Sequence, residues 1–377
     1  MKKIILALLF ILISVPSGII FADTSFNDTY KSLEKENKVE ALKNELPNET
    51  LKNLENIGIN EISLEKINKI KPDNALGLIT TQVKNVFKKI TKPIMFALAV
   101  IIICAMFKDF SPDFNKDFSS NIINLICVLT LSVLIVKPMI NTINCISNIF
   151  RLSCKLLICY IPIVTGLMLS SGQILSSYVH STFMVGFANL MAQISSVFFI
   201  PVLNLLIAFA IVSSISNYAN LFCLYLNLLK IIKIILGLLV TVFIGFFSVK
   251  VTVNLAMEGA GTKTLKFLLG SCVPVVGKAL GEAASTIKGC INVLKSSTSL
   301  FFIISTFVTF LPSVIECTLW CLTANICSAI GESFGINNAH KLLKSTAEVM
   351  SVILVAILCF LVVIIASTII VMKTAEI

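Results

Sequence analysis

The sequence predicts an all-α fold: a polytopic helical integral membrane protein, with about seven or eight transmembrane helices in the mature chain and a short amphipathic N-terminal helical module. Three observations point there. Hydrophobic residues make up 56% of the 377 positions and charged residues only 13%, about half the charged share of a soluble domain. Mean hydropathy is +0.95. Long apolar runs recur through the chain, and in lipid each run must satisfy its own backbone, which makes it helical. The net charge of +10 rests on 30 basic residues, of which only Arg151 is an arginine. Those lysines are scattered over loops and span edges, so they anchor a membrane protein and do not form a nucleic-acid surface.

Residues 1–22 have the three parts of a secretory signal: Lys2 and Lys3, an apolar centre IILALLFILI, and small residues ending at Ala22. Residues 23–92 are the polar part of the chain, an extracytoplasmic helical module. Leu46-Pro47-Asn48-Glu49 stops one helix and restarts another. Lys84, Lys88, Lys89 and Lys92 crowd its end, where they can meet anionic lipid headgroups. The remainder, 93–377, is the transmembrane domain.

Within it, Pro93–Phe107 and Ile122–Val136 are short spans, the second closed by Lys137-Pro138. The following segment, Pro138–Lys155, is polar enough to lie at the interface. From Leu156 to Leu229 there is no formal charge, and this length holds at least three spans, divided at Ser170–Gln173, near Pro201 and at Ser216–Asn220. His180 interrupts this run. Its polar neighbours Ser176, Ser177 and Tyr178 suggest a loop or interfacial position; a proton-linked site is the alternative. A span ending at Lys250 follows. Thr298–Gly331 is apolar again and is either one long kinked helix or two short ones turning at Leu311–Glu316. Glu316 is a carboxylate deep in an apolar run, hence a candidate functional residue, with a polar interface as its ordinary explanation. Ser345–Met372 is the last span.

The segment 250–297 is the least ordinary, a broken, re-entrant or interfacial element. It breaks at Pro274 and continues with Leu280, Ala283, Ala284, Ile287, Ile291 and Leu294 at helical spacing. Gly259, Gly261, Gly277, Gly281 and Ala284 supply small residues for close helix approach. Val275–Ala279 is not a phosphate loop, because Cys272 stands where its first glycine belongs and Ala279 where Ser or Thr is required. The 12 cysteines include no C-x-x-C, and neither His180 nor His340 lies at zinc-ligand spacing from a cysteine pair. The residue patterns therefore call for no cofactor, no metal site and no catalytic constellation.

The order of these features resembles the stage III sporulation protein AE family of endospore-forming Firmicutes. The matching blocks are Tyr160–Gly172 (YIPIVTGLMLSSG), GLLVTVFIGFFSVK, and GAGTKTLKFLLGSCVPVVGKALGEAASTI, followed by a long final span. The third block is the most specific, over Lys266–Ile287. The resemblance implies a non-enzymatic membrane component of the secretion-like channel complex that links mother cell and forespore and sustains forespore development after engulfment. It places the chain in the mother-cell-derived membrane. Its implied partners are the other stage III membrane proteins, a forespore-side protein across the intermembrane space, further copies of itself, and lipid. An ion-coupled secondary transporter, with Glu316 or His180 as coupling site, is the alternative. Such folds carry matched broken helices in two halves, whereas the surroundings of Pro162 and Pro274 differ.

Overall fold

A computed structural model describes residues 40–59, 62, 67, 72–109, 116–194, 199–215, 221–243, 245 and 276–373. These residues form α1 (Ala41–Asn44), α2 (Asn48–Asn56), α3 (Pro72–Asp109), α4 (Lys116–Ser170), α5 (Ile174–Gln193), α6 (Ile200–Ile215), α7 (Leu221–Phe243), α8 (Val276–Ser333) and α9 (Asn337–Lys373). The signal segment 1–22, Gly259, Gly261 and Pro274 lie outside the described residues. Gly277, Gly281 and Ala284 fall in the first turns of α8.

The architecture is an all-α polytopic membrane bundle. Five stretches are long and apolar enough to cross a bilayer: Leu76–Lys108, Asn121–Ser170, Leu221–Phe243, Gly289–Ser333 and Asn337–Ile369; Ile200–Ile215 is a shorter apolar helix. The expected division of the first half differs from what forms. Pro138 does not end a helix, and Pro138–Lys155 is not a separate element, because α4 runs through both Pro138 and Pro162 for 55 residues. Likewise α8 continues through Pro312 for 58 residues without turning at Leu311–Glu316. A proline removes one helical N–H and frees the carbonyl four residues before it. Neighbouring helices and hydroxyl side chains let a membrane helix accommodate that loss. Thr91, Thr165 and Thr309, close to Pro93, Pro162 and Pro312, donate back to the carbonyls of Phe87, Ile161 and Ser305, and Thr142 lies 3.0 Å from the Pro138 carbonyl. Such back-bonding bends a helix without ending it.

The longest elements end at glycine turns. The α4–α5 turn places Gly172 at φ +83° and the α8–α9 turn places Gly335 at φ +69°. In the second, Gly335 N–H donates to the Glu332 carbonyl and Ile336 N–H to the Gly331 carbonyl, both at 2.9 Å. A left-handed residue there lets the last carbonyls of α8 be satisfied before α9 begins.

Helices α8 and α9 form an antiparallel hairpin at the centre. In the most apolar stretch of α8, 78% of residues are buried, and in that of α9 67%, against 11% in α7. Around the hairpin, α3 runs parallel to α8: Lys89 meets Glu316 and Lys108 meets Gly335, both pairs 227 residues apart. Helix α4 runs the other way, bringing Thr142 to Glu316 and Tyr160 to Ser299. Phe150 of α4, Phe310 of α8 and Phe360 of α9 meet edge-on or tilted, with centroids 5.2–5.6 Å apart. These are favoured aromatic geometries. Because lipid is as apolar as a phenyl ring, the gain here is close packing and not water exclusion.

The N-terminal helices are docked on the bundle. Leu42, Leu46, Leu54, Ile57 and Ile59 are buried. Thr50 shares a hydrogen bond with Thr309 of α8 at 3.2 Å, and Gln82 of α3 donates to Asn53 at 3.5 Å.

Candidate functional site

Glu316 stands where three long helices meet. The carboxylate must be held by something, because its residue is only 7% exposed and an unpaired charge in that setting is costly. Oε1 accepts from Lys89 Nζ of α3 at 2.9 Å and lies 2.8 Å from Thr142 Oγ1 of α4. The Thr142 hydroxyl is also 3.0 Å from the Pro138 carbonyl; it has one proton to donate, and the carboxylate is the stronger acceptor. The two ends of the ion pair differ in solvation: the Lys89 side chain is 64% exposed and that of Glu316 10%.

The same local device presents all three side chains. Pro93 follows Lys89 by one turn, Pro138 precedes Thr142 by one turn, and Pro312 precedes Glu316 by one turn. Residues four apart share a helix face, so each polar group sits beside the bend that a proline introduces. Above the cluster, towards the Gly335 turn, is an apolar notch lined by Pro93, Ile94, Ile135, Trp320 and Cys327 among others. Its lining offers water no polar partner.

Other polar side chains in the bundle also tie one helix to the next. Lys233 of α7 pairs with Glu348 of α9 at 2.7 Å, beside the Tyr225 hydroxyl, which donates to the Ser345 carbonyl at 2.6 Å. Lys295 is fully buried and donates to Gln173 in the α4–α5 turn at 3.1 Å. Tyr160 bonds Ser299 at 2.8 Å and stacks on Phe302 with centroids 4.2 Å apart. Lys108 Nζ donates to the Gly335 carbonyl at 2.7 Å.

His180 lies inside α5 and is 2% exposed, so it is in neither a loop nor a surface position. It is also remote from Glu316. Phe187, seven residues further along α5, reaches Phe360 in the aromatic cluster, which puts His180 on the Gln173 side of that cluster and Glu316 on the other. Gly277, Gly281 and Ala284 have helical backbone. At Gly331 an added Cβ would make ordinary contact with the start of α9, 3.6 Å from the His340 nitrogen. Among the described residues no group of three or more His, Cys, Asp or Glu side chains could hold a metal ion.

The sequence isolates Glu316 as a carboxylate in an apolar run but does not single out either partner. Lys89 sits among Lys84, Lys88 and Lys92, and Thr142 in an ordinary polar stretch. The proline one turn from each was the signal that could have linked them.

A bundle of long apolar helices whose buried polar groups join helix to helix belongs to the class of polytopic helical membrane proteins. The sequence profile described as Stage III sporulation protein AE (spore_III_AE) matches residues 55–375, and the chain belongs to that family. Stage III sporulation protein AE of Bacillus subtilis (strain 168) is 23% identical over 201 residues, which cover 53% of this chain and 50% of that protein. The match thus spans about half the length of this curated relative. No solved structure matches.

Proposed function

We propose that this chain is a structural, conduit-forming subunit of the membrane complex that links mother cell and forespore, sitting in the mother-cell-derived membrane and sustaining forespore development after engulfment. Membership of a sporulation family supports the process. The observation that carries the structural role is the use made of the polar groups inside the bundle: Glu316, Lys233, Lys295 and Glu348 each bond across to another helix or turn. A coupling carboxylate must exchange its ion or proton during turnover, whereas Glu316 is engaged by Lys89 and Thr142 together. This favours a scaffold over an ion-coupled transporter.

In this reading the small residues of the 250–297 segment, Gly277 and Gly281 among them, are contacts between copies or with other stage III membrane proteins, and the N-terminal module faces a forespore-side partner. Deleting the gene in its host tests the role. Sporulation should arrest after engulfment while vegetative growth stays normal. A defect in growth or solute uptake in dividing cells would instead favour the transporter.

A further inference from the structure

Helix α3 carries Lys84, Lys88 and Lys92 at four-residue steps, so they form one stripe, and all three are exposed. Lys89, one position round, is the lysine that turns inward to Glu316. None of Lys84, Lys88 and Lys92 joins an ion pair among the described residues. One residue after Lys92 the charge stops: before Pro93 the exposed face mixes the lysines with Leu76, Val83 and Phe87, and beyond it the outer surface is Met95 (63% exposed), Phe96 (62%), Ile102, Ile103, Met106 and Phe107. Helix α4 makes the same change at the same level. Ile94 and Ala97 of α3 line one notch with Ile135 of α4, which aligns Lys92 with exposed Lys137. Beyond Lys137 the surface of α4 is Val133 (76%), Leu129 and Ile126. Two neighbouring helices therefore carry a basic edge that borders an exposed apolar collar.

That juxtaposition selects its ligand. An acidic peptide or a soluble phosphate would satisfy the lysines and leave the collar bare. A phospholipid satisfies both, with its acyl chains along Met95, Phe96 and Val133 and its headgroup phosphate among the ammonium groups, whose alkyl stems can lie along the apolar surface. With several cations and no paired carboxylate at the edge, the headgroup that fits carries net negative charge. We propose that Lys84, Lys88 and Lys92, with Lys137, form a binding site for an anionic phospholipid, which fixes the level of one leaflet at the Lys92–Pro93 junction. This site is independent of the sporulation reading.

Native mass spectrometry of the full-length protein, exchanged from detergent with equal phosphatidylglycerol and phosphatidylcholine, tests it. Each lysine near an anionic surface contributes about fivefold in affinity. The wild type should therefore retain phosphatidylglycerol over phosphatidylcholine by roughly tenfold or more, and the triple variant K84Q/K88Q/K92Q should lose that preference. The matched variant K52Q/K341Q/K344Q, with the same charge change elsewhere, should keep it, and so should K84R/K88R/K92R. Helix content by circular dichroism identifies any variant that has failed to fold, and the arginine variant then carries the comparison. Equal retention of both lipids by the wild type would overturn the site. So would an undiminished preference in the glutamine variant, or an equal loss in the matched control. Displacement by excess soluble glycerol phosphate would overturn the lipid in favour of a free anion.

Discussion

At Glu316 the two members of the ion pair have unequal alternatives. If the carboxylate is neutralised, Lys89 can turn to water, since its side chain is already 64% exposed. If Lys89 is neutralised, the carboxylate stays at 10% exposure with Thr142 as its remaining bonded partner. A buried charge stripped of its partner costs more than an exposed one. Lys89→Gln should therefore destabilise by about 2 kcal/mol and Glu316→Gln by less than about 1, with the double variant close to wild type. Thermal unfolding in detergent measures this. A Glu316→Gln variant that falls as far as Lys89→Gln would rule the asymmetry out. Lys233 and Glu348 offer a contrasting case: both side chains are about equally solvated, 34% and 39% exposed, so neither single substitution should dominate.

At the level of elements, the hairpin of α8 and α9 depends on its turn. Gly335 at φ +69° has a conformation that costs an L-residue about 1–2 kcal/mol. An added Cβ would also lie 3.5 Å from Lys108 Nζ. Gly289, within α8, has helical backbone and nothing within 4 Å of an added Cβ. Gly335→Ala should therefore weaken resistance to unfolding by about 1 kcal/mol, while Gly289→Ala should strengthen it by about 0.5–1. Titration with a denaturing detergent compares the two. These helices also show what the sequence makes legible. The all-α membrane class, the turn at Ser170–Gln173 and the isolation of Glu316 all follow from apolar runs and breaks in them. The continuity of α4 through Pro138 and of α8 through Pro312 does not, because a proline signals a break or a bend alike and the neighbouring helices decide which forms. The partners of Glu316 were equally hidden. They lie 227 and 174 residues away, and no local period connects positions so distant.

On the scale of the whole molecule, the bundle has a core of two helices and a shell. A photoreactive lipid analogue should label α7, where 11% of the apolar stretch is buried, and the outer faces of α3 and α4. It should leave α8, at 78%, largely unlabelled. Heavy labelling of Phe301, Phe302 or Phe310, all within 1% of full burial, would refute this arrangement. The core is also much taller than a membrane: at 58 residues α8 is roughly 87 Å long, against a hydrocarbon layer of about 30 Å. Much of that length therefore lies beside other protein or in water. That accounts for the polar middle of α4 and for the docking of α2 against Thr309.

The shared offset of 227 residues between α3 and α8 has a mechanical meaning. Lys89–Glu316 and Lys108–Gly335 act as two pins through parallel rods, separated by roughly 28 Å of helix. A slide of α3 along α8 would strain both pins together, and a twist would do the same. Graded slippage is therefore closed to this pair. Any give in the pair lies at Pro93, between the pins, while an axial shift has to release both pins before a new register is reached.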